Sequence, residues 1–185
     1  MIKFVPLLAI LLAFIATAWR IVAVRRGTGD KAWAVGETSG APRWTGMAFA
    51  TALFVIGCAD IALARSTNTS DWSVLVGSIL AILGALVMIT AQIQMGRAWR
   101  IGIRPSDAPQ LINTGLYRFS RNPIYLGMAL LGLGTSIPSG LWWAWVAFLA
   151  FLIATDMHIQ HEEAHLRENF GDAFSIYCAN VRRWI

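Results

Sequence analysis

Apolar residues occur along the chain in five runs that polar and charged stretches separate. The first three runs have about the 20 residues that an α-helix needs to cross the hydrocarbon core of a bilayer. Within lipid, a helix satisfies its own backbone hydrogen bonds, so runs of this kind are typical of membrane helices. The runs are 4–24, 45–64, 72–95, 123–137 and 141–155. The pattern predicts an all-α integral membrane protein with about five transmembrane helices.

The last two runs are shorter, and Pro138-Ser139-Gly140 between them is typical of a tight turn. They predict a hairpin of two short helices. After this turn no helix-breaking residue occurs before Gly171, which is a suitable helix C-cap. We therefore expect the fifth helix to leave the membrane and to continue to Phe170 as a C-terminal helical extension.

Composition also indicates a membrane protein. Hydrophobic residues make up 57% of the chain and charged residues only 14%, whereas soluble domains have about 25% charged residues. The net charge of +5 does not require a nucleic-acid partner, because Lys and Arg gather in the connections that face the cytoplasm if the N-terminus lies outside. Five crossings then place the C-terminus in the cytoplasm. The cysteines, Cys58 and Cys178, predict no disulfide framework or metal pair.

For a few residues within or beside the apolar runs, the sequence indicates a structural role. Arg20 lies near the end of the first run, from where its guanidinium can reach the headgroups. Asp60 is an intramembrane carboxylate close to Arg65, and an interfacial, paired or protonated structural role is favoured over a functional one. Gly77 and Gly84 can share a helix face and permit close packing of a neighbour. Aromatic anchoring at the membrane interface is indicated for four residues near segment ends: Trp19, Trp44, Trp72 and Trp99.

Two polar blocks lie where apolar runs begin or end, and polar groups in such places usually carry function. The first block, Leu111–Tyr125, reads LINTGLYRFSRNPIY, and the second, His161–Leu166, reads HEEAHL. Asn122 precedes Pro123, which disfavours a helical backbone at Asn122 and leaves its polar groups free to face a neighbour. We expect the two blocks to form two walls of one site.

The second block also matches the H-E-x-x-H pattern through His161, Glu162 and His165. In zinc peptidases, two His one helical turn apart bind the metal and the Glu acts as general base. Such an enzyme needs a third protein ligand, for which the chain after His165 offers only nearby acids. An amphipathic interfacial helix explains the same residues as solvated side chains. No metal site is therefore predicted.

The two blocks and the residues after them follow a characteristic order and spacing. The residues that carry it are Leu111, Gly115, Tyr117, Arg121, Asn122, Pro123, Tyr125, Glu162, Glu163, Leu166, Phe170, Gly171, Tyr177, Val181 and Arg182. This order resembles the family of integral-membrane methyltransferases that includes isoprenylcysteine carboxyl methyltransferase and the phospholipid N-methyltransferases. No single element is specific, but together their order and spacing are. The resemblance covers about residues 96–183.

The resemblance implies that S-adenosylmethionine binds in a cytoplasmic pocket between the last membrane helices and the tail. It also implies that a lipid-like or prenyl-like acceptor enters from the bilayer. One membrane domain, 1–185, is expected, in which 1–95 forms three transmembrane helices and 96–185 forms the cofactor-binding catalytic half. Carried over by position, the cofactor-binding residues are Gln110, Leu111, Ile112, Tyr117, Asn122, Pro123, Ile124, Tyr125 and Glu162.

The catalytic candidates are His158, Glu163 and Arg121. Methyl transfer from a sulfonium is an in-line displacement with a neutral leaving group, so positioning and electrostatics suffice and no metal is needed. If the acceptor is an amine, His158 or Glu163 could accept its proton. An Arg could bind the methionine carboxylate of the cofactor.

Two positions depart from the carboxyl methyltransferases, which have Arg in place of His158 and His in place of Asn122. Asn at the second position is familiar from the phospholipid N-methyltransferases, so a prenylcysteine carboxylate is not favoured as the acceptor. Membrane sterol reductases, which bind NADPH, resemble the C-terminal half loosely, and Arg97, Arg100 and Arg104 could bind the 2'-phosphate. A membrane accessory protein with a degenerate pocket is the non-enzymatic alternative. The acceptor atom and the oligomeric state stay open.

Overall fold

The computed structural model describes residues 2–29, 40–65, 69–101 and 111–185. Within these ranges the chain forms six α-helices. They are α1 (Val5–Thr28), α2 (Gly40–Arg65), α3 (Asp71–Gln94), α4 (Pro123–Ser139), α5 (Trp142–Phe170) and α6 (Asp172–Asn180). Each of the five apolar runs forms one of the first five helices, so the all-α prediction is confirmed for the described part of the chain.

Four helical stretches are long and apolar enough to cross a membrane. They are Ile2–Thr28, Gly40–Leu63, Asp71–Gln94 and Trp142–Phe170. The chain is therefore a multi-pass membrane protein by the length and composition of its helices. Helix α4 has 17 residues, which is short for a crossing, and the fifth span and the membrane hairpin remain predictions. Helix α5 runs for 29 residues without a break, because the predicted extension continues it beyond the short apolar run 141–155.

The predicted end of α5 is confirmed. The helix continues to Phe170, and the N–H of Gly171 donates to the carbonyl oxygen of Arg167 at 2.9 Å. Gly171 has a φ of 50°, a left-handed value at which any Cβ is disfavoured. Helix α6 follows directly and contacts α5, so the end of the chain turns back toward the helix that precedes it.

Glycines bring the backbones of α3 and α4 into contact. A Cβ on Gly84 would lie 2.6 Å from the carbonyl oxygen of Gly127, and one on Gly127 would lie 2.6 Å from the amide nitrogen of Met88. Gly77 and Gly134 make the same kind of backbone contact two helical turns away. Because a side chain at these positions would force the helices apart, the predicted packing role of Gly77 and Gly84 is confirmed.

A second contact layer joins α2 to α4 and α5. Ile56 and Phe151 are fully buried, and Phe148 stacks on Phe151 with ring centroids 6.4 Å apart. The outward faces of the helices carry large exposed apolar side chains, as a surface in contact with lipid requires. Examples are Leu12, Ile15, Phe54, Leu86 and Leu149.

The interfacial positions predicted for Arg20 and Trp99 were wrong. Arg20 donates from Nη2 to the carbonyl oxygen of Gly96 at 2.5 Å, and its guanidinium lies 5.8 Å from the ring centroid of Trp99. Both residues are buried, and the Arg20 guanidinium faces Gly96 and the Trp99 ring instead of the headgroups. Asp60 is also buried and accepts a 3.0 Å hydrogen bond from Thr135, so it lies inside the bundle. The exposed aromatic anchors are Trp19, Trp44 and Trp72.

Candidate active site

The first polar block is held against the C-terminal end of α3. The N–H of Leu116 donates to Gln94 Oε1 at 2.7 Å. Gly115 has a φ of 60°, and a Cβ there would lie 2.5 Å from Gln94 Cδ, so only glycine fits. The 3-10 turn Gly115–Arg118 then carries Tyr117 into the interior. The Gly-x-Tyr spacing thus combines a close backbone contact with an inward aromatic side chain.

Asn122 and Pro123 turn the chain into α4. Asn122 has φ −130° and ψ 51°, a conformation outside the helical region, as predicted for a residue before proline. Pro123 takes the first helical position, where a missing N–H leaves no hydrogen bond unmade. Asn122 Nδ2 donates to the carbonyl oxygen of Arg183 at 3.1 Å, so this side chain faces the C-terminal tail.

One cavity of about 630 Å³ lies among the helices, within the range of small-molecule sites. It is lined by residues of both polar blocks, which are some forty positions apart in the sequence. The candidates that line it are Leu111, Ile112, Tyr117, Arg121, Asn122, Pro123, Ile124, Tyr125, His158, Glu162 and Glu163. Gln110 lies outside the described residues. The fold therefore brings the two blocks to one place.

Glu162, Tyr125 and His158 form what we call the polar centre of the cavity. Tyr125 donates its hydroxyl to Glu162 Oε1 at 3.0 Å, while the Glu162 side chain remains 30% exposed. Phe49 of α2 packs edge-on against Tyr125 with centroids 6.2 Å apart. The carboxylate is fixed in direction yet accessible, and aromatic rings border the space beside it. This arrangement suits a ligand with a positive charge.

His158 lies one helical turn before Glu162 and is buried. Its Nδ1 lies 3.1 Å from Thr45 Oγ1, and this hydroxyl donates its proton to the carbonyl oxygen of Pro42 at 3.1 Å. The tautomer with the proton on Nδ1 satisfies both contacts, because Nδ1 then donates to Thr45 and Nε2 of the neutral ring is an acceptor. Nε2 lies 3.7 Å from Glu162 Oε1. His158 therefore presents a basic nitrogen to the polar centre.

Glu163 has a different environment, which we call the clasp; it consists of Glu163, Arg121, Arg183 and Asp156. Arg121 donates from Nε and Nη2 to Glu163 Oε1 at 3.1 and 2.9 Å. Arg183 donates from Nη2 to Glu163 Oε2 at 2.8 Å and from Nη1 to Asp156 Oδ1 at 3.2 Å. The hydrogen bond to Glu163 also raises the pKa of Arg183. Both Glu163 oxygens thus already accept hydrogen bonds from guanidinium groups.

The backbone of the C-terminal tail completes this unit. The N–H of Arg121 donates to the carbonyl oxygen of Arg182 at 3.0 Å, and Arg121 Nη1 donates to that of Val181 at 2.7 Å. Ser120 Oγ donates to the carbonyl oxygen of Arg183 at 3.3 Å. The side chain of Arg182 is exposed. The tail, the first polar block and α5 are therefore held together by charge and by backbone hydrogen bonds.

Two buried tyrosines connect the 3-10 turn with its neighbours. Tyr177 of α6 donates its hydroxyl to the carbonyl oxygen of Tyr117 at 2.7 Å, and Tyr117 donates its own to that of Ala91 at 3.4 Å. Burial raises the pKa of Tyr177 to about 12 and also raises the pKa of Tyr117. Both hydroxyls stay protonated at neutral pH, so the turn that carries Tyr117 into the cavity is held from two sides.

The part of the chain from α3 to the start of α6 is similar in sequence to known proteins. Residues 72–173, more than half of the chain, match the model of the family described as phospholipid methyltransferase. The chain belongs to this family. The "Probable protein-S-isoprenylcysteine O-methyltransferase" of Oryza sativa subsp. indica is 31% identical over 109 residues, which are 57% of each chain. "Protein-S-isoprenylcysteine O-methyltransferase B" of Arabidopsis thaliana is 30% identical over 112 residues, 57% of this chain and 55% of the relative.

The chain thus spans little more than half the length of these plant relatives. An uncharacterized protein of Haemophilus influenzae is 33% identical over 63 residues, which are 34% of this chain and 100% of that protein. The phospholipid methyltransferase match begins at Trp72 in α3 and ends at Ala173 in α6. It includes Glu162 and Glu163 of α5 but not α1, α2 or the tail. Thr45, Phe49 and Arg183 therefore join the site from outside the matched residues.

The H-E-x-x-H residues Glu162 and His165 share the cavity but make their hydrogen bonds to different neighbours. His165 lines the cavity, with Asn169 Nδ2 3.5 Å from its Nδ1, while Glu162 turns toward Tyr125. Within residues 2–29, 40–65, 69–101 and 111–185, no group of three or more His, Cys, Asp or Glu side chains is placed to hold a metal ion. The zinc peptidase alternative gains no support from this geometry.

The arginines considered for a nicotinamide phosphate are not all near the cavity. Arg97 donates from Nη2 to the carbonyl oxygen of Gly27 at 3.0 Å, between α1 and the segment after α3. Arg100 lines the cavity, and Arg104 lies outside the described residues. Of the two described arginines, Arg100 alone could contact a ligand in this cavity.

Several residues of the site were not predicted. Thr45 and Phe49 lie in the first turns of α2 and contact His158, but the sequence of α2 is distinguished only by its apolar character. Arg183 carries ion pairs to Glu163 and Asp156, whereas the family pattern ended at the neighbouring Arg182 and predicted no role for Arg183. Asp156 lies seven residues before Glu163, on the same face of α5, and this spacing was the available signal.

Proposed function

We propose that this cavity binds S-adenosylmethionine and that the protein transfers the methyl group to a lipid-like or membrane-embedded acceptor. The observation that carries the proposal is the convergence of the family-pattern residues on one cavity with an accessible carboxylate, Glu162, at its polar centre. When bound, S-adenosylmethionine would supply a methyl group on a positively charged sulfur that leaves as a neutral thioether.

The residues present fit the parts of this cofactor. Glu162 and the rings of Tyr125 and Phe49 suit a sulfonium or ammonium group. Arg100 lines the same cavity and suits a carboxylate. Apolar and aromatic surface for the adenosine comes from the first polar block, namely from Leu111, Ile112 and Tyr117.

We assign Arg121 and Glu163 to positioning. A proton on Glu163 would break its hydrogen bonds with two guanidinium groups, so this carboxylate is poorly suited to accept one. Arg121 directs its donors to Glu163 and to the tail and is not aimed at a ligand carboxylate. The two residues keep the first polar block in register with α5, and thereby hold Asn122 and Tyr125 at the cavity.

An amine acceptor must lose a proton before or during methyl transfer, and we assign this proton to His158 Nε2. The resulting imidazolium would lie beside Glu162, 3.7 Å away, which stabilises its charge. A His158→Gln variant should then bind the cofactor normally but methylate amines slowly. Full turnover of that variant on an amine would show that His158 is not the proton acceptor.

The remainder of the cavity suits the apolar part of an acceptor. Its walls include Phe14 of α1, Leu53 of α2 and Met128 of α4. Because Asn122 and His158 depart from the carboxyl methyltransferases, we propose an amphiphile other than a prenylcysteine carboxylate. From the Lys and Arg bias we propose that the N-terminus lies outside and that the cavity opens on the cytoplasmic side. Protease access to tags on the two termini, in sealed vesicles of known orientation, tests this.

Calorimetric titration of the detergent-solubilised protein tests the cofactor. Saturable binding of S-adenosylmethionine and S-adenosylhomocysteine, without binding of NADPH, is the expected result, followed by transfer of labelled methyl groups into a membrane lipid extract. Binding of NADPH alone would replace the proposal with a reductase. If none of the three compounds binds, the methyltransferase proposal fails and an accessory protein takes its place.

A further inference from the structure

The first turns of α2 enclose the imidazole of His158 on one side. Thr45 Oγ1 lies 3.1 Å from Nδ1, and a Cβ on Gly46 would lie 3.5 Å from Cε1. The ring of Phe49 stacks on the imidazole with centroids 6.2 Å apart and an interplanar angle of 21°. We call Thr45, Gly46 and Phe49 the α2 cradle. Because Thr45 and His158 are both buried, water competes little for the hydrogen bond between them.

The acceptors around Nδ1 favour a proton on this nitrogen. Thr45 donates its single hydroxyl proton to the carbonyl oxygen of Pro42 at 3.1 Å, and the same carbonyl lies beside the His158 ring as an acceptor. The opposite tautomer would take the Thr45 proton away from Pro42. It would also place a proton on Nε2, which is 3.7 Å from Glu162 Oε1, beyond the distance of a good hydrogen bond. The cradle therefore stabilises the tautomer with Nδ1 protonated.

We propose that Thr45 is a positioning residue, which accepts from Nδ1 and donates to Pro42 and so keeps Nε2 of His158 unprotonated toward the polar centre. The inference rests on the proposed function, because a free Nε2 serves the proton transfer assigned to His158. As the acceptor nitrogen bonds to the methyl carbon and the carbon–sulfur bond breaks, the N–H proton passes to Nε2. The positive charge of the ring then lies between Thr45 and Glu162.

The support that the cradle gives to His158 carries no charge. In a Ser-His-Asp triad a carboxylate orients the histidine and stabilises its cationic form. Thr45 and Pro42 orient the ring with a hydroxyl and a carbonyl instead, so the ring can remain neutral until it accepts a proton. The cradle precedes residue 72, where the family match begins. Thr45 is therefore a feature of this chain outside the matched residues.

NMR of the detergent-solubilised protein with ¹⁵N-labelled histidine tests the tautomer. Two-bond ¹H–¹⁵N correlations distinguish Nδ1–H from Nε2–H, and the signals that disappear in His158→Gln identify His158 among the three histidines. At about pH 8.5, where histidine is ordinarily neutral, His158 should carry its proton on Nδ1. Thr45→Val keeps the shape but removes the hydroxyl, so the ratio of the two tautomers should shift about tenfold toward Nε2–H.

Two further variants separate control of the tautomer from packing. Thr45→Ser keeps the hydroxyl and should keep the tautomer of the wild type. Thr155→Val removes a hydroxyl from a fully buried position of α5, three residues before His158, where Oγ1 has no hydrogen-bond partner among the described residues. This matched control should leave the tautomer unchanged. An equal shift in Thr155→Val and Thr45→Val, or no shift in either, would overturn the inference.

The wild-type spectrum keeps the inference testable even if Thr45→Val does not fold, since a proton on Nε2 of the wild type would also refute it. Methyl transfer from labelled S-adenosylmethionine into a membrane lipid extract then relates the tautomer to the reaction. Thr45→Val should lower turnover about tenfold with unchanged cofactor affinity, and Thr45→Ser should restore it. Full turnover of Thr45→Val would overturn the inference alone. The expected tautomers without methyl transfer by the wild type would support the cradle and refute the methyltransferase.

Discussion

The polar centre around Glu162 and the clasp around Glu163 are built on consecutive residues of α5, yet they differ in accessibility and in charge. Glu162 is 30% exposed and accepts a hydrogen bond from a neutral tyrosine. Glu163 is 11% exposed and accepts from two guanidinium groups. Consecutive side chains of an α-helix point about 100° apart. Both carboxylates line the cavity, but Glu162 turns to Tyr125 whereas Glu163 turns to Arg121 and to Arg183 of the tail.

This difference shows how one acidic pair can combine binding with stability. A carboxylate whose oxygens already accept from fixed cations has little left to offer a ligand, and its removal leaves those cations without partners. A carboxylate that is oriented by one neutral donor can still receive a charged ligand. The same substitution at the two positions should therefore have separable effects, which the following changes test.

The largest expected effect is on ligand binding and belongs to Glu162. Glu162→Gln keeps the shape and the contact with Tyr125 but removes the negative charge, so the affinity for S-adenosylmethionine should fall about 30- to 100-fold. The melting temperature should change little. Calorimetry and thermal unfolding measure the two quantities, with Glu168→Gln, an exposed residue of the same helix, as the control. Equal affinities of the variant and the wild type would show that the charge of Glu162 does not contribute to cofactor binding.

The second-largest effect is expected on stability, from a substitution of Glu163. Glu163→Gln leaves Arg121 and Arg183 without their common anion, which should lower the free energy of unfolding by about 2–3 kcal/mol and the melting temperature by about 5–10 °C. In the background of this variant, Arg121→Gln should add little, because its main partner is already gone. Additive losses in this double-mutant cycle, or a large loss of cofactor affinity with unchanged stability, would contradict the assignment.

Much of the fold could be predicted because a lipid bilayer permits few backbone structures. Apolar runs of about 20 residues have to be helical in a bilayer, and the absence of a breaker before Gly171 was enough to define the end of α5. The spacing of the first block and the acidic pair also located the cavity. Both features depend on local sequence and on the family resemblance, which extends across the matched residues.

The remaining details depend on how the helices are rotated and paired. Which of Glu162 and Glu163 turns to the polar centre is decided by the contact of α5 with α2, through pairs such as His158 and Thr45, and no local sequence pattern predicts it. Arg20 was expected at the headgroups because its partner, Trp99, lies almost eighty residues away. Contacts between residues so far apart in the sequence cannot be predicted from a local pattern.

A smaller effect is expected from the hydrogen bond that supports Tyr117 beside the clasp. Tyr177→Phe removes the donor to the carbonyl oxygen of Tyr117, which should cost about 1 kcal/mol, or about 2–4 °C. The pKa of Tyr177 is raised to about 12, above the ordinary value of about 10. The hydroxyl therefore contributes fully below pH about 10, and its contribution disappears as the pH rises toward 12. Melting curves of the two proteins should converge over that range; a constant difference would exclude this explanation.

The smallest effect should come from the outer edge of the clasp, where Asp156 meets Arg183. Both side chains are about one-third exposed, at 39% and 32%, and exposed ion pairs contribute about 0–1 kcal/mol because water and salt screen them. Asp156→Asn should thus shift the melting temperature by less than about 2 °C, even though it removes a carboxylate from the same network as Glu163. Thermal unfolding at low and high salt measures the difference. A loss as large as that of Glu163→Gln would mean that the clasp acts as one cooperative network rather than as a buried pair with an exposed extension.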